Sequence, residues 1–383
     1  MSKVVVKEGV LRWALDRSGR TPDALVSKFP KIEQWITGET QPTLRQLELL
    51  AKTTLTPFGF FFLDKPPVER LPIPHFRTLG EEYRDRPSPD LLETVQIMQL
   101  RQAWMRDYLI EQGHEELPFV RSVQINEQPK LVAQRMRQTL GFDEGWASQH
   151  RTWTNALSAL RKSIEEAAGI LVVVNGIVGN NTHRTLDPSE FRGFVLVDGY
   201  APLVFVNGSD GAAAQMFTLA HELAHVFFGS SAAFDLREML PANDPMEQAC
   251  NRVAAEFLVP GNKLRQTWHS VKNNPEPFQT IARNFKVSAI VAARRALDLG
   301  LIRKASFLEF YKAYQNDERR RNLHKPKGGN FYTNQNLRVG RRFTSAVIRA
   351  TREGKMLYSE AYHLTNLYGK TFDRYARSLG FGG

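Results

Sequence analysis

The sequence predicts an α+β protein, and three observations carry that expectation. Short helical runs broken by turn signals fill the first 65 residues, β-rich runs separated by Asn-Gly and Asp-Gly dipeptides lie between residues 169 and 208, and a long apolar helix follows from Ala212. At 383 residues, with 42% apolar and 24% charged positions, the chain has ordinary globular composition and room for two to three domains. No stretch approaches the roughly 18 unbroken apolar residues of a membrane span. Met1–Val10 holds only a three-valine run, too short for the apolar part of a signal peptide, and Cys250 is the single cysteine, so a reducing cytosol is the expected compartment.

The first helix is expected over Val10–Arg17. Thr21-Pro22-Asp23 supplies an N-cap, a proline at the first helical position and an early acid for a second. A third lies near Lys31–Thr37, closed by Gly38, and Thr43–Lys52 carries Leu44, Leu47, Leu50 and Ala51 at helical spacing before a short apolar end, Phe58–Leu63. Several short helices in residues 1–65 fit a helix-turn-helix module, since a bundle of that size can offer one helix to a major groove. The stretch KIEQWITGETQPTLRQLELLAK resembles the recognition helix and following helix of Xre/Cro-type repressors. That resemblance implies Lys28, Lys31, Gln34 and Thr37 as DNA contacts. Ten basic against seven acidic residues in Met1–Lys65, with Glu33 and Glu39 flanking the reading face, work against phosphate binding. A docking or dimerisation module with the same fold is the alternative.

Residues 66–160 read as a proline-punctuated linker (PPVERLPIP) and a helical connector built from Asp90–Gln112, Pro129–Leu140 and Arg151–Ala168. A third domain, 161–300, opens on Gly169–Val174, Phe191–Val197 and Leu203–Val206, which are expected to form a small antiparallel sheet. Residues 301–383 form a basic helical tail.

The helix from Ala212 to a C-cap at Gly229 contains His221-Glu222-Leu223-Ala224-His225. Positions i and i+4 stack on one helix face with Cβ atoms roughly 5–6 Å apart, so both imidazoles can converge on one zinc ion. Glu222, about 100° round the helix, can take a proton from a water that the metal polarises and later return it to the leaving amine. A charged Glu222 among Leu223, Ala224, Val226 and Phe227 is costly unless a polar or metal site explains it. A metzincin would have a third histidine where Ser231 stands and glycine where Phe228 stands, so that class is excluded. The next helix, Pro245–Leu258, offers Glu247 and Glu256, nine residues and about 180° apart on the helix wheel, so only one can face the metal. Glu247 is chosen as third ligand because Asn251 lies one turn below and can orient it. Cys250, among Ala249 and Val253, reads as core. The metal is zinc or another divalent ion such as Mn²⁺ or Fe²⁺.

Taken together, FRGFVLVDGYAPLVFVNGSD, FTLAHELAHVFFG and MEQACNRVAAEFLVP resemble the ImmA/IrrE family of zinc peptidases over Gly169–Pro260, and GGNFYTNQNLRVGRRF is similar to longer members with an Xre-type N-terminal domain. The resemblance implies a gluzincin-like fold and cleavage of a partner protein, typically a helix-turn-helix repressor controlling stress or mobile-element genes, or a toxin–antitoxin partner. It also implies His221, His225 and a downstream glutamate as ligands with Glu222 as base.

The net charge of +11 resides in the tail. Leu301–Gly383 holds 17 basic and 6 acidic residues, whereas Met1–Gly300 holds 34 of each sign. Peptidase chemistry does not explain that excess. Arg319-Arg320-Arg321, Lys325, Lys327, Arg338, Arg341 and Arg342 are candidate phosphate contacts or a solvated face. Ser359–Leu364, a turn at Asn366–Lys370 and Thr371–Leu379 form a second helix-turn-helix-like unit with Arg374 and Arg377 on its second helix. The alternative to the enzyme is therefore a non-catalytic DNA-binding regulator or antitoxin whose metal site is structural or vestigial.

Overall fold

The computed structural model describes residues 3–69, 71, 75–76, 87–234, 244–316 and 334–381. Arg319–Arg321, Lys325, Lys327, the GGNFYT part of the tail motif and most of LPIP in the linker lie outside them. The chain divides into two compact units, Met1–Pro72 with Glu81–Val95, and Ile73–Gly80 with Gln96–Gly383, the division falling inside helix α5 (Pro89–Glu111).

The first unit contains α1 (Glu8–Arg17), α2 (Pro22–Leu25), α3 (Ile32–Ile36), α4 (Leu44–Thr53) and a 3₁₀ turn, Phe58–Phe62. Local chemistry sets each start. The Thr21 hydroxyl accepts from the Ala24 amide behind Pro22, and Thr43 forms a reciprocal capping box with Gln46. Val10, Leu11, Ile32, Trp35, Leu47, Leu50 and Phe61 close around one small core. Helix α3 is only five residues long, shorter than Lys31–Thr37 predicts, because Lys31 and Thr37 serve as its caps and Gly38 turns the chain with φ 80°.

In the second unit a five-stranded sheet runs in the order β1 (His75–Phe76), β7 (Ala232–Phe234), β5 (Gly193–Leu196), β6 (Leu203–Asn207), β2 (Leu171–Asn175), and β3 (Ile177–Val178) pairs with β4 (Asn181–Thr185) as a separate ribbon. The antiparallel expectation needs correction. β5 is antiparallel to β6 and β7, but β2 lies parallel to β6, and β1 parallel to β7. The chain from Asn175 to Leu203 spends its length on the β3–β4 ribbon and β5, a connection long enough for β2 to join the far side of β6 in the same direction. β2 is buried along its whole length, as a strand covered on both faces must be.

α6 (Pro129–Leu140), α7 (Trp153–Glu166), α8 (Ala212–Phe228), α9 (Pro245–Leu258), α10 (Gly261–Val271), α11 (Pro277–Phe285), α12 (Ala289–Asp298) and α13 (Lys304–Asn316) pack with this sheet around one core. Met136 and Leu140 of α6 and Leu160 and Ile164 of α7 join Val172, Val204, Leu219, Leu223 and Phe257 there. Their apolar stripes therefore serve the sheet's own core, although the sequence assigns both helices to a connector. Phe307 of α13 belongs to the same cluster. A π turn (Asn336–Gly340) then leads into α14 (Arg341–Arg352), α15 (Tyr358–Thr365) and α16 (Lys370–Ser378). Gly340, at φ 86°, brings the turn so near β2 that a Cβ would sit 3.2 Å from the Val172 carbonyl oxygen. Among the described residues, no helix is long and apolar enough to cross a membrane.

Candidate metal centre

Two helices build the centre. α8 begins on Gly211, whose amide donates to Asp210 Oδ1 at 3.0 Å, and it ends as expected on Gly229 in the left-handed conformation. Thirteen consecutive residues, Gln215–Phe227, are buried, so His221, Glu222 and His225 lie in the core with no solvent exposure. α9 begins where the Asp244 carboxylate accepts from the amides of Met246 (2.8 Å) and Glu247 (3.1 Å) with Pro245 at its first position. This cap sets Glu247 in the first turn, where the helix dipole favours a negative charge.

The structure brings His221, His225 and Glu247 together. Nε2 of His221 lies 3.1 Å from one Glu247 oxygen, Nε2 of His225 lies 3.0 Å from the other, and the two Nε2 atoms are 3.0 Å apart. A tetrahedral ion with bonds of about 2.0–2.1 Å separates its ligand atoms by about 3.3–3.4 Å, so the three donors are already near the edge lengths of such a site. The donor chemistry, two imidazoles and a carboxylate, suits zinc. Asn251 Oδ1 accepts from Nδ1 of His221 at 3.1 Å, and since an amide oxygen only accepts, His221 carries its proton on Nδ1 and presents a lone pair at Nε2. Asn251 thus orients His221, whereas the sequence reading gave it Glu247 to orient; one helical turn places the amide beyond the carboxylate, against the ring.

The electrostatics follow from burial. Desolvation pulls the His221 imidazole down to about 4, against the pull of the neighbouring Glu247 carboxylate. Burial alone pushes the Glu247 carboxyl up, but the two imidazoles that face its oxygens, His221 and His225, outweigh it and hold the group at about 2. Glu222 has no such partners. Neither of its oxygens is hydrogen-bonded, and burial, then the charge of Glu247, push its carboxyl well above the ordinary range. An orphaned buried carboxyl beside three converging donors is the expected form of a proton carrier.

Glu256 is elsewhere. It is paired with Arg295 of α12 and accepts from the Gly261 amide at 3.2 Å, so the second carboxylate of α9 fastens that helix to α12. Cys250 is fully buried, and burial followed by the charge of Glu247 raises its thiol far from reactivity. Gly193 is the functional residue that sequence reasoning missed. A Cβ there would stand 2.5 Å from Thr218 Cγ2, 2.7 Å from the Phe205 carbonyl oxygen and 3.3 Å from Glu222 Oε1. β5 lies this close to the Glu222 turn of α8 only because the residue has no side chain. A glycine inside the strand pattern FRGFVLV was the available signal.

The candidate DNA contacts form two groups. Lys31, Gln34 and Thr37 are exposed on α3 and its caps, with Glu33 and Glu39 exposed beside them, and Lys28 precedes the helix, where its ammonium donates to Thr53 Oγ1 at 2.9 Å. Arg374 and Arg377 are exposed on α16. No described contact joins either group to the metal centre.

Residues 165–297, which contain every element of this centre, match the family model described as the IrrE N-terminal-like domain (Peptidase M78). Residues 339–378 match a second model, described as a domain of unknown function (DUF8813). A solved structure of a Mycobacterium tuberculosis transcriptional regulator aligns at 15% identity over 51% of this chain, with a TM-score of 0.28. The chain spans about half the length of that structure, 51%. No curated protein matches the chain.

Proposed function

We propose that residues 165–297 are a zinc-dependent endopeptidase domain and that the protein is a regulator acting by cutting a partner protein. The observation that carries the reading is the convergence of His221 Nε2, His225 Nε2 and the Glu247 carboxylate within 3.0–3.1 Å, with the unpaired carboxyl of Glu222 on the same helix. The match to the Peptidase M78 model supports it. His221, His225 and Glu247 would hold the ion. When bound, zinc would supply a Lewis acid that polarises the scissile carbonyl and acidifies water.

The remaining work belongs to the chain. Glu222 accepts a proton from water as the water oxygen bonds to the carbonyl carbon, and delivers that proton to the amide nitrogen as the C–N bond breaks. Its raised affinity for a proton suits the second half of that exchange. Asn251 keeps the His221 ring in the tautomer that offers Nε2, and Gly193 keeps β5 clear of Thr218 and Glu222. The substrate class is a protein, with a helix-turn-helix repressor or a toxin–antitoxin partner the first to test. Purified protein with Zn²⁺, incubated with the product of the adjacent gene, should yield a discrete cut that Glu222→Gln abolishes. Absence of cleavage with neighbouring gene products and repressors, in a protein that carries its metal, would leave the non-catalytic regulator as the better account.

A further inference from the structure

The basic excess of the C-terminal region is unused by the peptidase, and the structure gives part of it a definite form. Between residues 334 and 381 stand nine Lys/Arg against three Asp/Glu, a net of +6, whereas residues 3–69 hold ten against eight. Phe343 and Val347 of α14, Leu364 of α15, Leu367 of the following turn and Phe372 and Tyr375 of α16 are all buried. Tyr362 and Phe372 meet edge to face at 5.5 Å, joining α15 to α16. The four residues between these helices are Asn366, Leu367, Tyr368 and Gly369. Asn366 and Gly369 take positive φ (54° and 48°), and Leu367 points inward at 2% exposure. An eight-residue helix, a four-residue turn with glycine and a nine-residue helix are the parts of a helix-turn-helix.

We propose that this unit binds duplex DNA, with α16 as the helix that enters the major groove. α16 is divided by burial: Phe372, Tyr375 and Ala376 face the core, and Lys370, Thr371, Arg374, Arg377 and Ser378 are exposed. Lys370, Arg374 and Arg377 recur at i, i+4 and i+7, a single stripe spanning about 10 Å of helix axis at 1.5 Å per residue. A major groove about 12 Å wide takes such a helix with cations at both ends reaching phosphate and the middle reaching base edges. Asp373 is the sole acid on α16. Among the described residues, neither Lys370 nor Arg374 is paired with a carboxylate, so both charges are available to a polyanion. Thr371 and Arg374, in the first half of the helix, are the side chains for base edges, and Lys370 and Arg377 are those for phosphates. The proposal does not rest on the peptidase reading.

Fluorescence anisotropy of the full chain on a labelled 30-base-pair duplex of mixed sequence, from about 50 to 300 mM salt, tests it. Binding should fall steeply with salt. Lys370→Glu with Arg374→Glu and Arg377→Glu should weaken it at least tenfold and flatten the plot of log K against log salt by about 2–3. The single exposed changes Lys370→Ala and Arg377→Ala, which leave the buried face of α16 intact, should each flatten it by about one, and circular dichroism checks that the fold persists. Lys263→Glu with Arg265→Glu, exposed on α10, should leave binding unchanged. Duplex binding that survives the triple substitution, binding lost through Lys263 and Arg265 instead, or capture of a poly-glutamate peptide with no affinity for the duplex would each overturn the proposal.

Discussion

Glu222 and Glu247 show how one helical neighbourhood gives two carboxyls opposite tasks. Both are buried, but Glu247 meets two imidazoles and stays ionised, while Glu222 meets none and is driven toward its protonated form. Glu222→Gln should therefore keep the metal and lose proteolysis by about 10²–10⁴-fold, the range of a general acid–base group, as read by partner cleavage alongside elemental analysis. Glu256 marks the contrast. Its partner Arg295 is itself buried, so Glu256→Gln should retain metal yet cost on the order of 3 kcal/mol in denaturant unfolding, because a buried guanidinium loses its counter-charge. At this scale the sequence was legible in proportion to how local each relation is. His221 and His225 follow from the i, i+4 geometry of one helix. The helix wheel of α9 shows only that one of Glu247 and Glu256 can face the metal, and the choice of Glu247 rested on Asn251 one turn below it. The reach of Asn251 to His221, and of Arg295 to Glu256, depends on how separate helices pack, which no spacing encodes.

The elements carry a second layer of dependence. β5 lies against α8 through the bare Cα of Gly193, so Gly193→Ala should lower thermal stability by about 1–3 kcal/mol through overpacking and slow cleavage by displacing Glu222, with the retained metal content showing that the ligand set persists. Near the contact of α7 with α14, burial raises the Glu165 carboxyl to about 7, opposed by Arg161, Arg342 and Arg341 and reinforced by Glu166, and its Oε1 has no hydrogen-bond partner. A carboxyl whose folded value exceeds its unfolded one holds more protons when folded. Its contribution is therefore complete below about 4.5 and lost as pH rises through about 7. Glu165→Gln should remove that slope and raise stability at pH 8 by up to about 3 kcal/mol, measured by urea unfolding across pH 5–8. Element types were readable where periodicity is strong, as in α4, α8 and α9. Strand direction was not: Leu171–Asn175 and Leu203–Asn207 look alike in either orientation, and their parallel pairing is set by what lies between them. β1 and β3, two residues each, and the exposed strand β4 gave no apolar alternation to read.

At the scale of the whole molecule, charge and metal act on different parts of the chain. Met1–Gly300, which contains the buried centre, is balanced at 34 of each sign, and the excess of +11 belongs to Leu301–Gly383, so raised salt should spare metal retention while it weakens any polyanion contact. Metal linkage is the global signature of the centre. An ion at 100-fold its dissociation constant stabilises the fold that binds it by about 2.7 kcal/mol, so a chelator should lower the melting temperature by several degrees and Zn²⁺ should restore it. The measurement that bears most directly on the account is the metal content of the purified full-length protein and of its Glu247→Gln variant, by elemental mass spectrometry. About one divalent ion per chain in the parent and loss of it in Glu247→Gln is the expected result. A parent without stoichiometric metal, or a variant that keeps its ion, would contradict the site and with it the peptidase.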